Sequence, residues 1–334
     1  MKTNLFTLKN KQQKQNEKKF KNKLILFGIC LLFASNNNAQ QTALNSQYLY
    51  NDFAINPAVA GSKNYSPLSL SVRRQWLGID EAPVTQNLML HGFLGQHTGG
   101  GIHLYNDASG PSKRTGLSTS FAYHVKTGKL SKLSFGLSGS ITQFSIDRDK
   151  LITQVPGDIA VMNSISHVIA DANFGILWKG DRHFIGVSGF NLLENKSNIN
   201  ALTTPVNNSL DRVFYAHAGY NFKVGALIDI QPSTIFRYML NTPYQFDGNL
   251  KITLKDLYWI GTSYRHQDAI AIMGGIEIGN IMFGYTYDIG ISDIKTYNDG
   301  THEVFLGMKL NRGDNGKTPW KKRNRIYSGY SADS

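Results

Sequence analysis

Residues 116–125 read Gly-Leu-Ser-Thr-Ser-Phe-Ala-Tyr-His-Val. One set of alternate positions carries Leu117, Phe121, Tyr123 and Val125, together with Thr119. The intervening positions carry only glycine, serine, alanine and histidine. Because successive side chains of a β-strand point to opposite faces, this alternation predicts a strand with one apolar face and one small, polar face.

The same alternation recurs along the chain, for example at residues 133–142, 170–178 and 214–222. It predicts an all-β fold of about fourteen strands. The predicted strands are 66–74, 86–94, 98–106, 114–125, 132–146, 168–178, 183–189, 212–222, 227–238, 245–254, 257–265, 268–278, 280–288 and 301–310.

Two architectures produce such strands, a soluble sandwich with the apolar face inside and a membrane barrel with that face against lipid. The predicted strands are about ten residues long, as tilted membrane strands are. Their polar faces carry Gly, Ser, Thr and Asn rather than the Lys and Glu of soluble surfaces. Aromatic residues cluster at strand ends, as in the interfacial girdle of a membrane barrel: Tyr123, Trp178, Tyr220, Phe222, Tyr264, Tyr285 and Tyr287. These features favour a transmembrane antiparallel β-barrel.

The connections between the predicted strands also alternate. Every second one is a tight turn: 95–97, 126–129, 179–182, 223–225, 255–256 and 278–279. The others are mostly long: 75–85, 147–167, 190–211 and 289–300, with 265–267 as a short exception. Short periplasmic turns and long outer loops are typical of outer-membrane barrels. An even strand count then predicts that both termini are periplasmic.

The net charge of +12 comes from the two ends of the chain, because residues 24–306 are neutral in sum. A folded basic face for nucleic acid is therefore not expected. The lysine-rich start, the apolar run 24–33 and Ala39 predict a secretory signal peptide over residues 1–39. The only cysteine, Cys30, lies within it. We expect a segment 40–65 that lies in the periplasm or plugs the barrel, a barrel over 66–310, and a basic periplasmic tail over 311–334.

Several blocks of sequence resemble the PorP/SprF family of the type IX secretion system of Bacteroidetes. The first and most specific is residues 47–62, Gln-Tyr-Leu-Tyr-Asn-Asp-Phe-Ala-Ile-Asn-Pro-Ala-Val-Ala-Gly-Ser. The next is residues 74–80, Arg-Gln-Trp-Leu-Gly-Ile-Asp. Shorter blocks follow in the family's order: 82–83, 85–86, 106–107, 110–111, 114–116, 243–247, 259–261, 284–288 and 302–304. The basic tail departs from the family pattern, in which many members carry a cysteine.

The resemblance implies a non-enzymatic outer-membrane barrel that serves type IX secretion or the surface attachment of large proteins such as gliding adhesins. It implies three kinds of partner: outer-membrane lipid, cargo with a type B C-terminal domain, and periplasmic secretion components.

Candidate partner-binding residues occur first in the segment before the barrel, namely Tyr50, Phe53, Asn56 and Pro57. This segment could act as a plug or a docking strand. The plainer alternative is a short helix or turn that closes the periplasmic mouth, with Pro57 fixing the turn. Nearby, residues 99–101 are three consecutive glycines, which mark a bend or close packing by a plug.

Two further candidates lie outside the predicted strands. Trp76, in the first outer loop, is either a docking anchor for cargo or a girdle residue near headgroups. The tail contains Trp320, Lys321, Lys322 and Arg323. It is either a solvated extension or an electrostatic dock for an acidic periplasmic partner or anionic headgroups.

The sequence predicts no catalytic residue, no metal site and no cofactor. No Gly-Lys-Ser/Thr follows the glycines at 99–101, the histidines lack zinc spacing, and no nucleophile elbow is present. We expect a monomeric barrel that aids secretion or surface anchoring. The alternatives are an outer-membrane channel for small or hydrophobic solutes and an outer-membrane lipolytic enzyme.

Overall fold

The computed structural model describes residues 46–147, 150, 165–193, 196–201, 204–209, 211–240 and 242–310, without the side chains of 46–47, 165 and 196–209. Contacts divide the chain into two units. The larger unit, residues 42–240 and 244–334, contains every strand discussed below. Of the smaller unit, residues 1–41 and 241–243, only Thr242 and Pro243 are described.

The described residues form seventeen strands. In chain order these are β1 (Ser66–Arg74), β2 (Val84–Phe93), β3 (Thr98–Ser109), β4 (Ser112–Lys126), β5 (Lys132–Ile146), β6 (Ile165–Lys179), β7 (His183–Phe190), β8 (Lys196–Ala201), β9 (Thr204–Ser209), β10 (Val213–Tyr220), β11 (Phe222–Val224), β12 (Ile228–Met239), β13 (Gln245–Leu254), β14 (Tyr258–Arg265), β15 (Ala269–Ile278), β16 (Ile281–Gly290) and β17 (Thr301–Leu310).

Fifteen of these strands form a closed antiparallel barrel with fourteen positions, because β10 and its short continuation β11 share one position. Each strand pairs with the next, β7 pairs with β10, and β10 pairs with β12. The first and last strands, β1 and β17, close the ring, with Leu70 opposite Leu306. Closure leaves the barrel without an unpaired edge, which is the condition for spanning a bilayer with strands. The prediction of an all-β antiparallel barrel of about fourteen strands is confirmed.

The two faces of each strand differ in the way that the alternation predicts. Along β1, Ser69, Ser71 and Arg73 are buried in the interior, whereas Leu70 and Val72 are exposed on the outside. The outward apolar residues recur on every long strand of the ring. This arrangement, with a polar interior and an apolar exterior, is the reverse of that in a soluble sandwich. It is the arrangement expected of a barrel surrounded by lipid. None of the described helices is long and apolar enough to cross a membrane.

The connections separate the two ends of the barrel. At one end, here called the short-turn end, tight turns join β4 to β5, β6 to β7 and β15 to β16, and β17 ends there at Leu310. The opposite end, here called the loop end, carries the longer connections. Two details differ from the predicted connections. The connection 190–211 contains the hairpin β8–β9, and β3 turns tightly into β4 at Gly110, which has a positive φ of 55°.

Candidate functional site

The interior of the barrel contains the residues that precede β1. Residues 46–65, here called the inner segment, include three short 3-10 helices: Ser46–Leu49, Asp52–Ala54 and Pro57–Val59. All residues from 55 to 62 are buried. The small inward side chains of the wall leave room for this segment, so the alternation that produces the barrel also produces the space that the segment fills.

The Asn56-Pro57 pair fixes the backbone of the inner segment. The Oδ1 atom of Asn56 accepts a hydrogen bond from the Ala58 amide at 2.9 Å, and so caps the helix Pro57–Val59. Pro57 occupies the first helical position, where a missing amide hydrogen has no cost. The Nδ2 atom of Asn56 donates to the Ile176 carbonyl at 3.1 Å and lies 3.2 Å from Nε2 of His217. One fully buried side chain therefore caps the helix and attaches it to the wall.

Glycines in the wall form a seat for this helix. Gly136 of β5 and Gly175 of β6 lie opposite each other in the sheet register. A Cβ atom on Gly136 would lie 2.5 Å from the Pro57 carbonyl carbon and 2.6 Å from Ala58 Cα. A Cβ atom on Gly175 would meet the Asn56 side chain. Any larger residue at these two positions would displace the inner segment.

The triple glycine of β3 receives the next part of the inner segment. A Cβ atom on Gly99 would lie 2.7 Å from Gly61 Cα, and one on Gly101 would lie 2.6 Å from the Phe53 ring. Gly100 points to the other face, where Leu94 is its nearest neighbour. Close packing against a plug, one of the two explanations given for these glycines from sequence, therefore fits the contacts of Gly99 and Gly101.

Histidines of the wall complete the attachment. His124 of β4 places Nε2 3.0 Å from the Ala60 carbonyl. The Gly61 amide donates to Nδ1 of His91 at 3.3 Å, so this nitrogen carries no proton. The Phe53 ring lies 4.9 Å from the His91 ring. These contacts hold the inner segment by directed hydrogen bonds as well as by packing.

A network of buried charges occupies the interior at the loop end. Arg73 Nη2 lies 2.8 Å from Asp288 Oδ2, and Arg73 Nη1 lies 3.3 Å from Glu303 Oε2. Arg265 bridges Asp288 and Asp247, each at 3.5 Å. These five side chains, here called the charge network, are all at least 95% buried. They lie within one sector of the wall, from β13 to β1, close to the loop end.

Tyr48 connects the inner segment to the charge network. Its hydroxyl lies 2.8 Å from Asn249 Oδ1 and 3.0 Å from Asp247 Oδ2. Burial, followed by the nearby charge of Asp247, raises the pKa of Tyr48 above its usual range. The hydroxyl therefore stays protonated and acts as a donor to these acceptors.

A cavity of about 450 Å³ lies between the inner segment and the inward faces of β1, β6, β7 and β10 to β17. It reaches the short-turn end, because the turn residues Arg182 and Asp256 and Lys223 of β11 line it. Its floor is aromatic: the Tyr50 ring lies 3.8 Å from Trp259 and 6.0 Å from Phe305, measured between centroids. A volume of this size is within the usual range for ligand pockets, about 300–1,000 Å³.

The rim of the cavity contains an ion pair that belongs to the inner segment. Lys63 Nζ lies 3.3 Å from Asp52 Oδ1 and donates to the Tyr50 carbonyl at 3.2 Å. Burial alone would raise the pKa of Asp52, but the charges of Lys63 and Lys179, together with those of two nearby histidines, outweigh burial, and the pKa lies well below its usual range. Burial opposes the charge of Lys63, yet the Asp52 carboxylate raises the pKa of Lys63. Both groups are therefore charged near neutral pH.

The structure brings four of the sequence-predicted residues together. Phe53, Asn56 and Pro57 are buried against the wall, and Tyr50 is half-buried in the cavity. Trp76 lies apart at the loop end, where its amide donates to Thr301 Oγ1 at 3.2 Å. Residues Trp320, Lys321, Lys322 and Arg323 lie outside the described residues, as do 1–45. The partner-binding role of all these residues remains a prediction.

Sequence reasoning missed the charge network and the cavity lysines. Arg73, Asp247, Arg265 and Glu303 stand close to strand ends, where single charges are usually solvated. A signal was present, since each of them occupies the face of its strand opposite the exposed apolar residues. Their pairing could not be foreseen, because Arg73 and Glu303 are 230 positions apart.

Comparison with known proteins gives distant structural likenesses. The chain resembles the "CymD monoaromatic hydrocarbon channel" at 10% identity and a TM-score of 0.47, covering 83% of this chain and 96% of that one. It resembles the P. putida toluene transporter TodX at 8% identity and a TM-score of 0.46, covering 78% and 94%. The translocator domain of autotransporter NalP from Neisseria meningitidis gives 10% identity and a TM-score of 0.38, covering 74% and 88%. These identities and TM-scores are too low to indicate a shared function. No curated protein sequence matches the chain.

A family comparison gives a firmer result. The family described as "Type IX secretion system membrane protein PorP/SprF" matches residues 37–308. The match includes the inner segment, the charge network and the barrel strands as far as Met308 of β17. Together with the closed barrel and its apolar exterior, it supports an outer-membrane location and a role in type IX secretion. The chain belongs to the PorP/SprF family.

Proposed function

We propose that this protein holds a secreted protein at the outer membrane during or after type IX export. The observation that carries the proposal is the filled interior. The inner segment is attached to the wall through Asn56, Tyr48 and two histidines, and the charge network lies in the interior near the loop end. A barrel filled in this way is suited to binding a partner at its ends rather than to passing solutes.

The orientation follows from the connections. Outer-membrane barrels place tight turns in the periplasm and long loops outside the cell. On this basis the short-turn end, the cavity and both chain termini face the periplasm. The loop end, with Trp76, faces the outside and is available to large surface proteins such as adhesins.

The partners follow from the family and from this orientation. The family indicates contact with other secretion components and with the outer membrane. We propose that periplasmic components meet the short-turn end and that the exported cargo carries a type B C-terminal domain. Family and fold point to a non-enzymatic role.

The alternative of a small-solute channel predicts a different behaviour. The cavity extends inward from the short-turn end and is lined by the inner segment, and the charge network lies in the interior near the loop end. On our proposal a continuous channel would require both to move. A filled barrel should stay closed in a planar bilayer, whereas a solute channel should conduct.

Affinity purification of the full-length protein from detergent-solubilised native membranes tests the proposal. We expect a large exported protein and type IX components to co-purify, and the purified protein to show no stable conductance. An unrelated barrel from the same membranes is the control. Steady ion conductance without any co-purifying exported protein would favour the channel instead.

A further inference from the structure

The cavity contains a lysine that makes no ion pair with any described residue. Lys251 of β13 points inward and lines the cavity. Its Nζ atom lies 4.7 Å from the centroid of the Tyr50 ring, a cation–π contact. Among the described residues, Lys251 has neither a carboxylate partner nor a hydrogen-bond acceptor. Two other lysines of the cavity make ion pairs, Lys63 with Asp52 and Lys309 with Glu277.

A second polar group of the cavity wall also lacks a partner. The Tyr50 hydroxyl is shielded from solvent and makes no hydrogen bond within the described part of the chain. Burial, followed by the charge of Glu277, raises the pKa of Tyr50 above its usual range, so the hydroxyl keeps its proton. An ammonium group and a protonated hydroxyl on one aromatic floor are both donors, and a buried donor without an acceptor is costly.

The charges around Lys251 define what kind of acceptor fits. Lys63, Asp52, Glu277 and Asp229 all act on its ammonium group. Over the whole cavity lining, six Lys and Arg side chains face five Asp and Glu side chains, which leaves one positive charge in excess. One bound carboxylate balances this charge, whereas a doubly charged phosphate would leave a net negative charge. The aromatic floor of Tyr50, Trp259 and Phe305 favours an apolar or aromatic group beside the charge.

We propose that this cavity is a binding site for a carboxylate that carries an apolar or aromatic group, with Lys251 as the charge partner and Tyr50 as a hydrogen-bond donor. This proposal rests on the proposed function, because the carboxylate is taken to belong to a polypeptide. The polypeptide enters from the short-turn end and presents its C-terminal carboxylate or an acidic side chain. A free small organic acid offers the same chemistry, and the experiment separates these sources.

Isothermal titration calorimetry on the full-length protein in detergent micelles tests the site. The probes are acetyl-Gly-Ala-Leu-Phe with a free carboxylate, the same peptide as its C-terminal amide, acetyl-Gly-Glu-Leu-Phe-amide, and phenylacetate. The variants are Lys251→Met and, as a matched control, Lys129→Met. Lys129 is exposed in the turn between β4 and β5 at the same end and does not line the cavity.

We expect the free-carboxylate peptide to bind the wild type and the Lys129→Met variant alike. Lys251→Met and the neutral amide should each weaken binding by about tenfold to a hundredfold, the value of a hydrogen bond to a charged group. If Lys251→Met fails to fold, Tyr50→Phe removes only the hydroxyl. That change should weaken binding about tenfold, whereas Tyr297→Phe, on an exposed loop-end residue, should have no effect.

The remaining outcomes are decisive. Equal binding of the acid and the amide, equal binding by both lysine variants, or no binding of any carboxylate would overturn the site. Binding of the glutamate-containing amide supports the site and identifies a side-chain carboxylate as its source. Phenylacetate binding as tightly as the peptides supports the site but contradicts a polypeptide ligand. A failed titration alongside a confirmed secretion defect would reject this site and leave the proposed function standing.

Discussion

Replacement of Gly136 by alanine tests how the inner segment is held. The added Cβ would lie 2.5 Å from the Pro57 carbonyl carbon and 2.6 Å from Ala58 Cα. Both are backbone atoms, so no flexible side chain can move aside to relieve the overlap. The helix Pro57–Val59 must shift, and Asn56 must lose part of its hydrogen bonding to the wall.

The expected cost is about 1–3 kcal/mol, the range for one extra carbon forced into a well-packed core. Gly139→Ala is the matched control, because Gly139 lies on the outer face of the same strand and an added Cβ there would have nothing within 4 Å. Its effect should be within about 0.5 kcal/mol. Urea unfolding in lipid vesicles gives the free energies, and planar-bilayer recordings show whether the shifted segment opens the interior.

We expect only Gly136→Ala to lose stability and to show intermittent conductance. Equal stability of the two variants, with both closed, would refute the idea that the wall glycines seat the inner segment.

Three further predictions follow from the structure. Leu137 points outward and is 69% exposed, so Leu137→Arg should lower the free energy of unfolding by about 2–4 kcal/mol if the residue lies near the bilayer midplane. Leu130→Arg, in the turn, should lower it by about 0–1 kcal/mol. Unfolding in lipid vesicles compares the two variants, and similar losses would contradict the lipid-facing surface. Arg73→Met should destabilise the barrel by about 3–5 kcal/mol, because it removes one partner from buried ion pairs. An unchanged midpoint of unfolding would contradict a structural role for the charge network. The pKa of Asp52 is lower in the folded protein than its unfolded value of about 3.9. The stability from its ion pair with Lys63 is therefore present above about pH 3.9 and is lost as the pH falls through the folded pKa. In unfolding experiments across pH, the stability difference between wild type and Asp52→Asn should persist at about pH 5 and shrink toward about pH 2, and a difference that does not depend on pH would contradict the ion pair.

The barrel could be predicted from the sequence because its determinant is local. Each strand alternates between two kinds of side chain, and predicted strands such as 132–146 and 245–254 match the observed bounds. The hairpin β8–β9 could not be predicted, because residues 196–209 form a polar stretch with Pro205 and lack an apolar face.

The interior was predictable only in part, because its contacts are made between residues distant in sequence. The triple glycine at 99–101 gave a local sign of close packing. By contrast, the seat that Gly136 and Gly175 form for Asn56 depends on register across two strands and on a segment 80 residues away from Gly136. Likewise, Lys251 is one lysine among many in the sequence, and only the assembled cavity distinguishes it.

The central claim is that the protein is needed to bring a large exported protein to the cell surface or to hold it there. The most direct test is a quantitative comparison of surface, medium and periplasmic proteins between the parent strain and a strain lacking this gene, with the complemented strain as control. We expect at least one large type IX cargo to leave the surface fraction and to appear in the medium or accumulate in the periplasm. Identical distributions of every exported protein in the two strains would contradict the claim.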